Sequence, residues 1–225
     1  MRQPTSVDGS RHLQFGCGCC APESWRNFDV SPSLRLQRLP LLGPLFAGPL
    51  RNALRLPPFP GNVELGDVVA GLPVPEGFFQ AAYCSHVLEH LALDELRRCL
   101  RNVHCYLCDG GTFRLVMPDL AILVARYSST PDPSAALAFL RDSGLGVERR
   151  PRGLRSRLGE LFGHSRHLWL WDFESISLEL RDAGFTEIRR AVRGDSADPL
   201  FSEVEDEERW TEILGVDCRK AAFKK

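Results

Sequence analysis

At 225 residues, with 44% hydrophobic and 25% charged residues, the chain has the size and composition of one globular domain able to bury a core without covalent staples. A formal charge of -1 and a sequence pI near 6.6 lack the basic surplus that neutralises a run of phosphates, so no nucleic-acid partner is expected. No stretch reaches the about 18 to 20 uninterrupted apolar residues of a bilayer span, and no apolar signal core follows Arg2, Asp8 and Arg11.

Eight cysteines, clustered as Cys17, Cys19 and Cys20, then Cys84, Cys99, Cys105 and Cys108, with Cys218 late, suit free thiols in a reducing cytoplasm. That is the location expected. Arg11 to Phe15 reads as a strand running into a turn at Gly16 and Gly18, and Trp25 to Val30 as a second strand. From 31 to 62 the chain is rich in Leu, Pro and Arg, and its prolines permit only short helices.

Val63 to Leu65 is a short strand ending near Asp67, and Gln80 to Cys84 a longer one leading into Ser85 and His86. Asp94 is placed to cap a helix to about Tyr106, with Leu96, Leu100, Val103 and Leu107 at helical spacing. Gly110 and Gly111 are read as its stop, ahead of the β-prone run Thr112 to Met117. Asp119 opens a helix to about Tyr127. The stretch 128–165, helical around Ser134 to Arg141 and carrying Arg149, Arg150, Arg152, Arg155 and Arg157, reads as an insertion whose basic run is a solvated face. Asp172 caps a helix over Phe173 to Ala183, Thr186 to Ala191 is a strand, and Ile213 to Lys220 is the last. Strands alternating with helices predict an α/β fold with a mainly parallel sheet.

In such sheets ligands sit at the carboxyl ends of the strands. Here Phe15, Gly16, Cys17 and Gly18 follow the first strand, Asp29 closes the second, Asp67 follows the third, and Ser85 with His86 follow the fourth. Glycines let a backbone approach a ligand, and an acid at a strand end can accept both hydroxyls of a ribose. This pattern, with SHVLEH over 85–90 and VMPDL over 116–120, resembles the class I S-adenosylmethionine-dependent methyltransferases, in the type 11-like branch related to the ubiquinone-biosynthesis enzymes.

The resemblance implies a Rossmann-like, doubly wound sheet with an antiparallel last strand, one domain over 1–225, and S-adenosyl-L-methionine as cofactor. It implies that Phe15, Gly16, Cys17 and Gly18 pack against the methionine part and that Asp29, with Val30 after it, holds the ribose. Asp67 and Val68 would lie by the adenine, and Ser85 and His86 by the sulfonium methyl. Two departures stand out: Cys20 replaces a third small residue of the first turn, and only ten residues separate Gly18 from Asp29. A helical crossover takes about a dozen residues or more, so a truncated connection is expected.

Methyl transfer from a sulfonium is an in-line displacement that needs positioning and, for a hydroxyl acceptor, a base. His86 is the first candidate and His167 the second, with His90 and His164 behind them; Glu89 reads equally as a site residue or as a structural partner of a nearby Arg. Cys105 and Cys108 form a CxxC without a second ligand pair, so no metal site is expected. A small-molecule or saccharide acceptor is expected, and the sequence sets no oligomeric state. The alternatives are a catalytically silent binding or interaction module and, since a glycine turn followed by an acid also describes the dinucleotide fold, a dehydrogenase.

Overall fold

The computed structural model describes residues 9–39, 58–147 and 166–222. Seven strands form one sheet in the order β3-β2-β1-β4-β5-β7-β6: β1 (His12–Phe15), β2 (Arg26–Asp29), β3 (Val63–Leu65), β4 (Phe79–Ser85), β5 (Leu107–Pro118), β6 (Phe185–Ala191) and β7 (Ile213–Lys220). The pairs from β3 to β5 are parallel, while β7 runs antiparallel to both β5 and β6. The fold is therefore α/β, Rossmann-like and mainly parallel with an antiparallel last strand, as expected.

Helices α1 (Pro32–Arg38), α2 (Leu93–Tyr106), α3 (Leu120–Ser129), α4 (Ala135–Asp142) and α5 (Phe173–Asp182) complete the described elements together with short 3-10 turns. Asp119 and Asp172 cap α3 and α5, accepting from the N–H groups of Ala121 and Ser175. Asp94 is not a cap. The α2 helix begins one residue earlier, the Glu95 carboxylate accepts the Ala92 N–H, and Asp94 pairs with Arg98 one turn on. Nor do Gly110 and Gly111 end that helix: it stops at Tyr106, and Leu107, expected on its apolar stripe, opens β5 instead. Leu107 pairs with Phe79 and Thr112 with Ala81, so the extra residues bulge out of the ladder, and Gly110 turns there with φ 75°.

Successive strand residues face opposite sides of the sheet. Leu13, Phe15, Ala82, Cys84, Phe113, Leu115 and Met117 pack one face against Leu96, Leu100 and Val103 of α2 and Ile176 and Leu180 of α5. On the other face Ala81, Tyr83 and Val116 meet Trp25, Phe201 and Val204. No helix joins β1 to β2 through residues 16–25, so the truncated connection is real. The face it leaves bare is covered by the long connection between β6 and β7, through the 3-10 turns Pro199–Glu203 and Glu207–Trp210.

Polar contacts anchor this cover. Trp25 Nε1 donates to the Leu200 carbonyl at 3.1 Å, and His12 Nε2 lies 2.6 Å from Asp198 Oδ2. Arg114, fully buried on β5, donates to Glu205 at 2.5 Å and to Asp217 at 3.1 Å, reaches Asp195 at 2.8 Å and donates to the Val192 carbonyl at 2.7 Å.

None of the eight cysteines forms a disulfide. Among the described residues no helix is long and apolar enough to cross a membrane. The arginine run 149–157, His164 and most of the proline-rich segment lie outside the described residues.

Candidate active site

The carboxyl ends of β1, β2 and β4 meet at the glycine turn. Gly16 (φ 63°) and Gly18 (φ 55°) hold left-handed backbone that favours glycine. A Cβ on Gly16 would stand 2.2 Å from Val87 Cγ2, so this glycine lets the β4 end close onto the turn. On Gly18 a Cβ would meet only Arg209 Nη2, at 3.9 Å. Phe15 and Cys17 are buried, and the Cys17 N–H donates to the Phe28 carbonyl at 3.2 Å. Burial first, and then the nearby Asp29 carboxylate, push the Cys17 thiol well above its ordinary pKa. It is a neutral space-filler.

Asp29 is buried and fixes the turn: its Oδ2 accepts the Gly18 N–H at 2.9 Å, while Oδ1 accepts the Ser31 N–H at 2.7 Å and the Ser31 hydroxyl. Three acceptor positions are thus engaged, leaving about one of a carboxylate's four. Val30 beside it is 44% exposed. Asp67 follows β3 and accepts the Val69 N–H at 2.8 Å, while Val68 belongs to the main core and its carbonyl accepts from Asn102.

At the end of β4 the Ser85 hydroxyl is buried beside Tyr83 and Trp210. None of the Ser85 Oγ, Tyr83 OH and Trp210 Nε1 atoms completes a hydrogen bond of good geometry. Burial pushes the Tyr83 phenol up to about 12. His86 takes φ 55°, tolerated more readily by His than by a branched residue, and its N–H donates to the Val116 carbonyl at 2.9 Å. Its Nδ1 lies 3.1 Å from Oε1 of Glu89, a residue wholly shielded from solvent in the 3-10 turn Leu88–His90.

His167 comes from the segment 166–171, which crosses from the β4 end toward the β5 end. The Leu168 N–H donates to the Glu89 carbonyl at 2.7 Å, and Trp171 bridges Asp119. The ring packs over Gly144, where a Cβ would fall 2.5 Å from its Nδ1. Its Nε2 lies 3.9 Å from Glu89 Oε1. The two expected catalytic histidines therefore converge on Glu89, whose ion-pair partners among the described residues are histidines, which favours its reading as a site residue over that as an arginine partner.

Sequence reading missed Arg209. Its Nη1 donates to the Ser85 carbonyl at 3.3 Å, and its own carbonyl lies 3.4 Å from His86 Nε2. It pairs with no carboxylate among the described residues. A lone arginine more than a hundred residues downstream gives no local signal. Gln14 was missed as well; its Oε1 is buried without a hydrogen-bond partner. A polar cleft of about 470 Å³ lined by Thr112, Arg189, Asp195, Asp198, Asp217 and Arg219 lies toward the opposite end of β5 and carries none of these residues.

This strand order and the polar groups at the strand ends define a Rossmann-like α/β fold of the methyltransferase kind. Residues 50–115, under a third of the chain, match the family model described as a methyltransferase domain. A SAM-dependent methyltransferase from Methanosarcina mazei superposes with a TM-score of 0.50 at 15% identity, over 94% of this chain and 92% of that one. A Thermotoga maritima SAM-dependent methyltransferase described as a possible histamine N-methyltransferase gives 0.48 at 15% identity, over 93% and 82%. The complex between the Haloferax volcanii Trm112 methyltransferase activator and a putative methyltransferase gives 0.48 at 14%, over 93% and 82%. Of some larger structures the chain spans about half, such as 50% of the CurJ carbon methyltransferase. No curated protein sequence matches the chain.

The resemblance to the class I methyltransferases thus rests on a sequence match and on the fold, and it implies S-adenosyl-L-methionine as cofactor. The chemistry at the glycine turn fits an amino-acid-bearing group. The Arg209 guanidinium, with no carboxylate partner among the described residues, stands beside Gly18 and suits a carboxylate, and the buried amide oxygen of Gln14, without a hydrogen-bond partner among the described residues, suits an ammonium.

Proposed function

We propose that the protein is an S-adenosylmethionine-dependent methyltransferase acting on a hydroxyl of a small-molecule or saccharide acceptor, as one domain over 1–225, in the cytoplasm. The carrying observation is the His86–Glu89 pair at the end of β4. A shielded carboxylate behind an imidazole fixes its tautomer and steadies the cation formed when it takes a proton, and so suits His86 to general-base work.

The cofactor supplies an electrophilic methyl group. Around it, Phe15, Gly16, Cys17 and Gly18 shape the turn for the methionine part, and Arg209 holds the carboxylate. Asp29 offers its remaining acceptor position to the ribose beside Val30, and Asp67 with Val68 bounds the adenine side. Ser85 and His86 border the reacting end, with His167 across from them on the acceptor side. Residues 128–147, whose Ser143 carbonyl and Gly144 meet His167, supply part of the acceptor wall in this reading.

The test is methyl transfer from S-adenosylmethionine to a panel of glycans and hydroxyl-bearing metabolites. His86→Gln is expected to lower kcat about 10²- to 10⁴-fold while S-adenosylhomocysteine affinity stays within a few-fold. Equal turnover by wild type and variant contradicts the base role, and an acceptor methylated on carbon contradicts the hydroxyl assignment.

A further inference from the structure

Among the described residues, Glu89, His90 and His167 bring a carboxylate and two imidazoles together, with ligand atoms within 4.8 Å of one another. The two rings meet edge to face, with centroids 4.9 Å apart. Both are held from behind in the same way. His90 Nδ1 lies 3.1 Å from the Arg166 carbonyl, and His167 Nδ1 lies 2.7 Å from the Ser143 carbonyl. A carbonyl only accepts, so each Nδ1 carries a proton and, in the neutral ring, each Nε2 presents a bare lone pair. Backbone carbonyls orient metal-ligating imidazoles in this manner.

Glu89 supplies a second, independent observation. Its side chain is wholly shielded from solvent, and while Oε1 faces His86, Oε2 is buried without a hydrogen-bond partner. A lone pair on His167 Nε2, 3.9 Å from Oε1, then sets two acceptors against each other inside a poorly solvated site. Leaving buried acceptors unsatisfied costs free energy, which a cation placed between them recovers.

We infer that Glu89, His90 and His167 bind one divalent first-row transition-metal ion, through the Nε2 atoms of the two histidines and the Glu89 carboxylate. Two imidazoles with one carboxylate suit zinc, manganese or iron over magnesium or calcium, which prefer oxygen ligands. Three protein ligands leave coordination positions open for water or another oxygen. Ligand atoms in a tetrahedral site stand on the order of 3.4 Å apart around bonds of about 2.1 Å, so the side chains need to close by roughly 1 Å. The cluster borders His86, whose Nδ1 lies 3.1 Å from Glu89 Oε1. If the methyltransferase reading holds, the ion faces the acceptor and acidifies its hydroxyl, with His86 receiving the proton.

The experiment is titration of the full-length, chelator-treated protein with Co²⁺, read by visible absorption. One equivalent is expected to bind, with weak ligand-field bands and no sulfur-to-cobalt charge transfer. His90→Ala and His167→Ala are each expected to weaken binding at least about tenfold, while His104→Ala, outside the cluster, leaves it unchanged. Absence of saturable binding, a charge-transfer band from cysteine, or undiminished binding in both histidine variants overturns the inference. Titrating the same samples with S-adenosylhomocysteine separates the two readings. Cobalt bound without S-adenosylhomocysteine contradicts the methyltransferase reading alone, and the reverse contradicts the metal site alone.

Discussion

Replacing Arg114 with Met is expected to destabilise the protein by about 3–5 kcal/mol, the range for removing one partner of a buried ion pair. Arg114 and Glu205 are both shielded from solvent, and Asp217 and Asp195 share the same guanidinium. Met restores much of the volume, so the loss reports stranded charge and not a cavity. Urea unfolding measures it. The double variant Arg114→Met with Glu205→Gln is expected to recover part of the loss, because it removes one of the stranded carboxylates. A cost below about 1 kcal/mol, the range of a surface pair, contradicts the anchoring role given to Arg114. The β6–β7 connection would then be held chiefly by the packing of Phe201 and Val204 on Trp25 and by the His12–Asp198 pair.

A second large effect is expected in binding. Arg209→Ala should weaken S-adenosylhomocysteine about 10- to 100-fold, from the loss of charge-assisted hydrogen bonds worth about 1.5–3 kcal/mol. Binding of 5′-methylthioadenosine, which lacks the amino-acid end, should stay unchanged. Calorimetric titration of both ligands against both proteins gives the comparison. Equal losses for the two ligands would place Arg209 away from the carboxylate. The prediction ties the unusual connection to function, since the segment that covers the bare sheet face also brings a cation to the glycine turn.

Much of the fold was legible because its signals are local. The cap residues Asp119 and Asp172, the apolar spacing of Leu96, Leu100 and Val103, and the β-prone run through Met117 each act within a few residues of themselves. The glycine pair at 110–111 misled because glycine serves a helix stop and a strand bulge equally well. Only the pairing of Leu107 with Phe79 decides between them.

The site divides in the same way. Gly16, Gly18, Asp29, Ser85 and His86 follow strand ends and could be placed by topology. The structure adds that Asp29 spends most of its acceptor capacity on Gly18 and Ser31, which residue type alone does not tell. Residue type alone left Glu89 open to an arginine partner, whereas its neighbours in space are His86 and His167. His167 arrives from nearly eighty residues away, and Arg209 from still farther. Such contacts depend on which connection covers which face, and no local pattern encodes that choice.

The most direct test of the account is calorimetric titration of the purified protein with S-adenosylhomocysteine, with NAD run in parallel. The account predicts saturable binding of one S-adenosylhomocysteine per chain and no binding of NAD. Binding of NAD alone would assign the glycine turn and Asp29 to a dehydrogenase, and binding of neither would leave a fold that serves as a silent module.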